Sequence, residues 1–196
     1  MDSYYDSVAT HRLGRPVSLV SFLNPLSQAV GRSLAALTGV SLVILDEAVE
    51  HRLGASTHEI VPGVGLAGWR LAEAEALGRA LVAEPWSFLV LGEGALTEPR
   101  SRELVRRLSF LVYLKQDLQA IHQRVGSASS AKLFTLLTEA SAIPGTPEES
   151  LEALFGLRGT EYGSAGFSVD AGDRAPRRIA AEIAQKLEGE GMLERV

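Results

Sequence analysis

The sequence predicts an α/β protein in three layers, in which helices cover both faces of a five-stranded parallel sheet. Short runs of branched and aromatic residues alternate along the chain with stretches whose apolar residues recur at helical spacing. This alternation favours parallel strands, because parallel neighbours need a crossover connection and a helix supplies it.

The elements follow one another in a regular order. Buried strands are predicted at residues 17–23, 41–46, 87–96, 109–114 and 166–171, where branched and aromatic side chains concentrate. Helices are predicted at residues 27–39, 47–54, 68–84, 100–108, 147–157 and 175–191, and a loop rich in Gly and Pro precedes the third.

We interpret residues 1–196 as a single domain with an N-terminal extension at residues 1–16. Residues 126–145 are small, polar and almost uncharged, which is typical of a lid-like segment. No internal repeat is visible in the sequence.

Composition excludes several classes of function. A net charge of -5 makes nucleic acid an unexpected direct partner, and the absence of cysteine excludes disulfides and thiolate metal sites. No histidine has a metal-ligand spacing, so we assign no metal site. The sequence has neither a signal-peptide pattern nor an apolar run long enough to span a membrane, so we expect a cytoplasmic protein.

Short motifs stand at matching places between the predicted elements. They are Val30-Gly31-Arg32, Asp46-Glu47 with Arg52 to Ser56, Arg70 to Glu73, Gly92-Glu93-Gly94, and Arg158 to Tyr162. Their order and spacing over residues 17–188 resemble the shikimate kinase family of bacterial enzymes, which has the P-loop kinase fold. Each motif alone is weak, and five in register with the elements are moderately specific.

The phosphate loop of that family departs from its pattern in this sequence. A phosphate loop needs two glycines, a lysine for the β and γ phosphates and a hydroxyl for Mg²⁺. The degenerate positions here are Asn24, Pro25, Leu26, Ser27, Gln28 and Ala29. The resemblance therefore implies that binding of ATP and Mg²⁺ is weak or lost, with Ser27 near a plain helix cap as the simpler interpretation.

Two further kinase features are missing by the same resemblance. The first Asp of the family's Asp-x-Asp pair is Ile44, and Lys132 is the only basic residue between residues 125 and 157, where the family carries lid arginines. Phosphoryl transfer consists largely of positioning and charge neutralisation, so we assign no catalytic residue.

The acceptor half of the family's site is better retained. By resemblance Asp46 accepts hydrogen bonds from ring hydroxyls, and Arg70 and Arg158 clamp a carboxylate. Glu73 orients Arg70, and Gly92 and Gly94 present backbone N–H groups. The alternative is that Asp46 and Arg70 form only an internal ion pair.

The leading hypothesis is a catalytically impaired protein that binds a small carboxylate or a related metabolite in a regulatory role. One alternative is an enzyme of altered, ATP-independent chemistry on a cyclic hydroxy acid, or a residual shikimate kinase. Another is an interaction scaffold whose emptied cleft, lined by Phe22, Leu23, Pro25 and Leu26, contacts a protein partner.

Overall fold

The computed structural model describes residues 10–22, 24–127 and 134–196 of the chain. Its strands are, in chain order, β1 (His11–Leu13), β2 (Val17–Ser21), β3 (Leu42–Ile44), β4 (Phe88–Val90), β5 (Phe110–Lys115), β6 (Phe167–Asp170) and β7 (Leu193–Arg195). Its helices are α1 (Asn24–Thr38), α2 (Leu45–Leu53), α3 (Thr57–Val82), α4 (Pro99–Leu108), α5 (Leu118–Ser127), α6 (Phe134–Ser141), α7 (Pro147–Tyr162) and α8 (Pro176–Gly189).

The five central strands form a parallel sheet in the order β3-β4-β2-β5-β6. The prediction of a five-stranded parallel sheet is therefore confirmed. β3 and β4 lie on one side of β2, and β5 and β6 lie on its other side, so the order of the strands reverses at β2. Open α/β sheets bind their ligands at such a switch point, outside the carboxyl ends of the strands.

Side chains that alternate along each strand build one core on either face of the sheet. Leu19 of β2 packs in the core that includes Val30 of α1 and Ile179 of α8. Its neighbour Val20 lies in the opposite core, which includes Trp69 of α3. Helices therefore cover both faces, and the three-layer arrangement predicted from the sequence is present.

Close contact between α1 and the sheet explains the glycine of the Val30-Gly31-Arg32 motif. A Cβ at Gly31 would lie 2.6 Å from the Cγ2 of Val90 and 3.1 Å from the Cδ1 of Leu42. Any larger residue would push α1 away from the sheet, so this position needs glycine for packing.

The helices around the predicted Gly- and Pro-rich loop are longer than the sequence suggested. α3 begins at Thr57 behind a capping box formed by Ser56 and Glu59, and its one non-helical residue is Gly65, at φ 69°. The reciprocal cap starts a helix in spite of Pro62, and Gly65 then redirects it. The predicted loop is thus largely helical.

Two other features were not predicted. β1 and β7 pair as a short antiparallel ribbon, and α5 follows the central strand β5. β1 and β7 each bury a single residue, Leu13 and Leu193, so neither gives the apolar run by which the strands of the central sheet were predicted.

Of the predicted lid-like segment, residues 128–133 lie outside the described residues, and α6 occupies much of the remainder. Across the described parts of the chain, no helix is both long enough and apolar enough to cross a membrane.

Candidate functional site

The six residues predicted for the acceptor half lie together near the carboxyl ends of β3 and β4. Asp46 stands in the first turn of α2, directly after β3, and Gly92 and Gly94 follow β4. Arg70 and Glu73 come from α3, and Arg158 comes from α7. Elements distant in sequence therefore contribute to one site at the edge of the sheet where α/β proteins bind ligands.

Arg70 and Glu73 form a buried ion pair within α3. The Nη1 of Arg70 donates to the Oε2 of Glu73 at 2.6 Å, and the two residues are 6% and 1% exposed. Their spacing of three residues places both side chains on one face of the helix. This hydrogen bond holds the guanidinium of Arg70 beside Glu73, and the orienting role of Glu73 toward a ligand stays a prediction.

A third carboxylate, which sequence reasoning missed, connects the two arginines. Glu139 of α6 accepts a hydrogen bond from Arg70 on its Oε1 and one from Arg158 on its Oε2. Its side chain is only 12% exposed. One carboxylate is thus held between two guanidinium groups, each of which binds a different oxygen. Glu139 is the only acidic residue among residues 126–145, and this isolation was the available signal.

Arg158 is buried and makes further polar contacts on α7. Its Nη1 lies 3.2 Å from both carboxylate oxygens of Glu161. The Nε of Arg158 is buried and has no hydrogen-bond partner within residues 10–22, 24–127 and 134–196. The guanidinium therefore keeps one donor that this part of the chain does not use.

Gly92 and Gly94 are required by the close approach of the charged side chains. A Cβ on Gly92 would lie 2.3 Å from the Oε1 of Glu73 and 2.7 Å from the Oδ1 of Asp46. A Cβ on Gly94 would lie 2.0 Å from the Nη2 of Arg70. Both glycines therefore let the backbone after β4 run directly against the site.

Carboxyl groups outnumber guanidinium groups here, and their pKa values reflect this. Asp46 is half-buried as a residue, but its carboxyl lies on the enclosed side, against Gly92. Burial, followed by the nearby Glu73 and Glu93, raises the pKa of Asp46 well above its usual value. Burial also raises the pKa of Glu73, although Arg70 opposes that change.

The pKa of Arg70 is also raised, but for an arginine this change favours the charged form. Burial opposes its charged form, but the attraction of Glu73 and Glu139 outweighs burial and raises its pKa. Arg70 is therefore a permanent cation in this site.

Glu93, the acidic residue between the two glycines, is buried and tied to α7 through its backbone. The hydroxyl of Tyr162 donates to the carbonyl oxygen of Glu93 at 2.7 Å. Burial raises the pKa of Tyr162 well above its usual value, so the hydroxyl keeps its proton as a donor. This contact joins the turn after β4 to the helix that carries Arg158. Tyr162 belongs to the sequence motif of Arg158, which predicted no contact for it.

Trp69, the residue before Arg70, belongs to the core. It is fully buried among the side chains of the core that includes Val20, and its Nε1 has no hydrogen-bond partner among the described residues.

The residues predicted as a degenerate phosphate loop form the start of α1. β2 ends at Ser21 and α1 begins at Asn24, so Pro25, Gln28 and Ala29 lie in its first two turns. Ser27, where the family has its lysine, is 0% exposed, and Leu26 is 7% exposed. The chain thus enters a helix within the stretch where a phosphate loop would curve around its ligand.

Phe22 at the end of β2 packs into a small apolar cluster. Its ring meets that of Phe155 edge to face at 5.3 Å, and Ile121, Ala140, Leu151 and Leu154 complete the buried part of the cluster. Phe22 is 1% exposed. Phe22 and Leu26 are therefore covered by the chain itself, and they do not offer the exposed contact surface considered for an interaction scaffold.

Within residues 10–22, 24–127 and 134–196, no group of three or more His, Asp or Glu side chains is placed to hold a metal ion. The carboxyls at the site instead face guanidinium groups or one another.

The parallel sheet, its strand order and the charged site at the carboxyl ends define a doubly wound α/β protein of the P-loop kinase class. A sequence model of the shikimate kinase family matches residues 28–188 of the chain. The chain therefore belongs to the shikimate kinase family. The matched stretch begins at Gln28 and so leaves out residues 24–27 of the loop.

Individual relatives agree with this assignment. The chain is 28% identical over 176 residues to the shikimate kinase of Paramagnetospirillum magneticum, covering 90% of this chain and 86% of the relative. It is 30% identical over 171 residues to that of Geobacter sulfurreducens, covering 87% and 90% of the two chains. Among solved structures, the shikimate kinase of Acinetobacter baumannii in complex with shikimate has a TM-score of 0.77 at 25% identity, covering 90% of this chain and 94% of the other.

Proposed function

We propose that this chain binds a small carboxylate, or a related metabolite, between Arg70 and Arg158, and that it serves a regulatory role without the usual phosphoryl transfer of its family. The observation that carries the proposal is the geometry of these two guanidinium groups. They converge on a single carboxylate, that of Glu139, in a buried site. A pair of arginines that can hold one carboxylate in this way can hold another of similar size.

Beside the two arginines lie groups that can form hydrogen bonds with the hydroxyls of a ring. Asp46 supplies carboxylate oxygens, or a protonated oxygen since its pKa is raised, and both forms accept hydrogen bonds from hydroxyls. The relative from Acinetobacter baumannii holds shikimate, a cyclic acid with ring hydroxyls. A ligand of this class therefore matches both the charge and the hydrogen-bonding groups of the site.

The nucleotide half supports the loss of phosphoryl transfer. A phosphate loop stabilises its ligand with glycine N–H groups and a lysine, whereas this chain has Leu26 and Ser27 at those positions, both buried. The Phe22 cluster adds apolar surface at the end of β2, and apolar surface does not compensate a buried anion. On this proposal the residues present do not fit Mg²⁺-ATP, and any regulatory output is delivered through a protein partner.

One alternative has a specific observation in its favour. The relatives that match most of the chain are named shikimate kinases, which favours residual kinase activity. The two functions differ in their need for nucleotide, so the test measures both ligands.

The test is calorimetric titration of the purified chain with shikimate and, separately, with Mg²⁺-ATP. Arg70→Lys is the informative variant, because lysine keeps the positive charge but loses the planar fork that binds a carboxylate. Arg79→Lys is the matched control, since Arg79 is exposed on the same helix. We expect shikimate to bind, Arg70→Lys to weaken it by roughly tenfold or more, and Arg79→Lys to leave it unchanged.

Each contrary result has a definite meaning. Heat from Mg²⁺-ATP together with phosphorylation of shikimate would restore the kinase assignment. Turnover of shikimate without nucleotide would favour an enzyme of altered chemistry. Absence of shikimate binding in the folded wild-type protein, with Arg70 and Arg158 unmodified, would refute the proposed ligand class.

A further inference from the structure

We propose that Glu139 is an internal occupant of the carboxylate site, so that a ligand must displace it to bind. This inference rests on the proposed function, because it concerns the same pair of arginines. It adds that Glu139 competes with the ligand, and that α6, which carries Glu139, is the element that moves when the ligand binds.

The contacts of Glu139 are those that a bound carboxylate would make. One oxygen accepts from Arg70 of α3 and the other accepts from Arg158 of α7, so a single side chain spans two helices. Both guanidinium groups are buried, at 6% and 4% exposure for the whole residues. A ligand carboxylate needs the same donor nitrogens, so the two cannot be held at once.

Neither arginine depends on Glu139 alone. Arg70 also pairs with Glu73 at 2.6 Å, and Arg158 pairs with Glu161 at 3.2 Å. Departure of Glu139 therefore leaves each guanidinium with one carboxylate partner, and the clamp keeps its position and one cation-to-carboxylate contact per arginine. This arrangement makes Glu139 exchangeable in a way that Glu73 is not.

The charges at the site favour exchange of Glu139 for a ligand carboxylate over the addition of a further carboxylate. Burial, and then Glu73 and Glu93, raise the pKa of Asp46, and Glu139 adds to the effect of burial on the pKa of Glu73. A ligand carboxylate that is added while Glu139 stays would meet the same repulsion. Replacing Glu139 by a ligand carboxylate leaves the total charge unchanged. The favourable event is therefore exchange of one carboxylate for another.

Exchange gives ligand binding a structural consequence. Glu139 lies on α6, a helix of eight residues that packs between α3 and α7. Once the ligand holds Arg70 and Arg158, α6 loses its two ionic contacts to those helices. Ligand binding is thereby coupled to the stability of α6, which is the kind of change a regulatory protein transmits to a partner.

The binding test compares wild type with Glu139→Gln and Glu161→Gln by calorimetric titration of shikimate. Glu139→Gln removes the bridging charge with little change in size. Glu161→Gln removes a charge of the same sign beside Arg158 but leaves the bridge in place, so it controls for local charge. We expect Glu139→Gln to bind shikimate about tenfold more tightly or better, and Glu161→Gln to gain much less.

The methyl ester of shikimate provides a ligand control. It lacks the charged carboxylate and so cannot replace Glu139 between the arginines, and its affinity should be the same for wild type and Glu139→Gln.

Hydrogen exchange of unmodified wild-type protein supplies a measurement that no variant can compromise. Amides of residues 134–141 should exchange faster at saturating shikimate, while those of α8 on the opposite face stay unchanged.

The outcomes separate the two proposals. Wild-type binding with no gain in Glu139→Gln, or with no change in α6 exchange, would overturn the internal occupant and leave the carboxylate site standing. If neither wild type nor Glu139→Gln binds shikimate, both proposals are overturned, because removing the competitor has failed to open the site. Binding by Glu139→Gln alone would support Glu139 as the internal occupant and would refute shikimate binding by the unaltered chain.

Discussion

Substitution of Gly94 by alanine tests the geometry of the acceptor site without removing any charged group. The added Cβ would lie 2.0 Å from the Nη2 and 2.2 Å from the Cζ of Arg70. To regain ordinary contact the guanidinium must move by roughly 1 Å or more, which takes it beyond hydrogen-bond range of its carboxylate partners. Arg70 is buried, so no water replaces those partners.

The magnitude follows from the ion pairs that the movement breaks. Removing one partner of a buried ion pair costs about 3–5 kcal/mol, and Arg70 holds both Glu73 and Glu139. We expect Gly94→Ala to lower the free energy of unfolding by roughly 3 kcal/mol, since part of the contact survives a small displacement. Chemical denaturation followed by circular dichroism measures this loss.

Gly78→Ala is the matched control within α3. None of the residues that the structure describes comes within 4 Å of a Cβ at Gly78, so alanine there should stabilise the helix by about 0.5–1 kcal/mol. In an Arg70→Ala background the obstacle is absent, and Gly94→Ala should then cost less than about 1 kcal/mol. A loss below about 1 kcal/mol in wild type, or the same loss with and without Arg70, would refute the close approach.

Three further predictions concern stability. The raised pKa of Asp46, caused by burial and then by Glu73 and Glu93, means that its ionisation costs more in the folded than in the unfolded chain. The free energy of unfolding should therefore fall as pH rises above the ordinary aspartate pKa of about 3.9. Asp46→Asn should make this fall less steep and stabilise the protein at neutral pH. An equally steep pH profile in the variant would contradict this. Tyr162→Phe should cost about 1–3 kcal/mol in denaturant unfolding by leaving the buried carbonyl of Glu93 without its donor, unless a water replaces it. Phe22→Ala should cost about 3–5 kcal/mol in the same assay, because the ring is fully buried. A loss below about 1 kcal/mol would mean that the ring of Phe22 is not packed in a rigid core.

Most of the fold could be predicted because its sheet is built from strands that are apolar over their whole length. Leu19 and Val20 point to opposite faces of β2, and both are buried, so the strand is a continuous apolar run. The helix at residues 57–64 was missed because Pro62 and Gly65 are typical of loops. The spacing of Ser56 and Glu59 was the available signal, since it is that of the capping box that begins this helix.

The site was predicted where charged residues form recognisable local patterns and missed where they do not. Arg70 and Glu73 are three residues apart on one helix, so their contact could be expected from sequence. Glu139 is 69 residues from Arg70 and 19 from Arg158, and no local pattern connects it to either. Such contacts depend on how α6 packs, which only the tertiary structure provides.

The two halves of the family's site have different physical character in this chain, and stability alone explains only one of them. The Phe22 cluster is apolar and stabilises the fold through burial. The acceptor half instead keeps Arg70, Arg158 and several carboxyls out of water, which is costly unless every charge is paired.

Replacement of buried ion pairs by apolar side chains of similar volume is often neutral or stabilising, so the acceptor half is not needed to hold the fold. The Nε of Arg158, which finds no partner in the described part of the chain, and the raised pKa of Asp46 add to its cost. A buried charged cluster that weakens the fold is instead what binding a charged ligand requires, because the groups that receive the ligand must be in place before it arrives. The physical argument therefore favours a binding function for the acceptor half over a purely structural one.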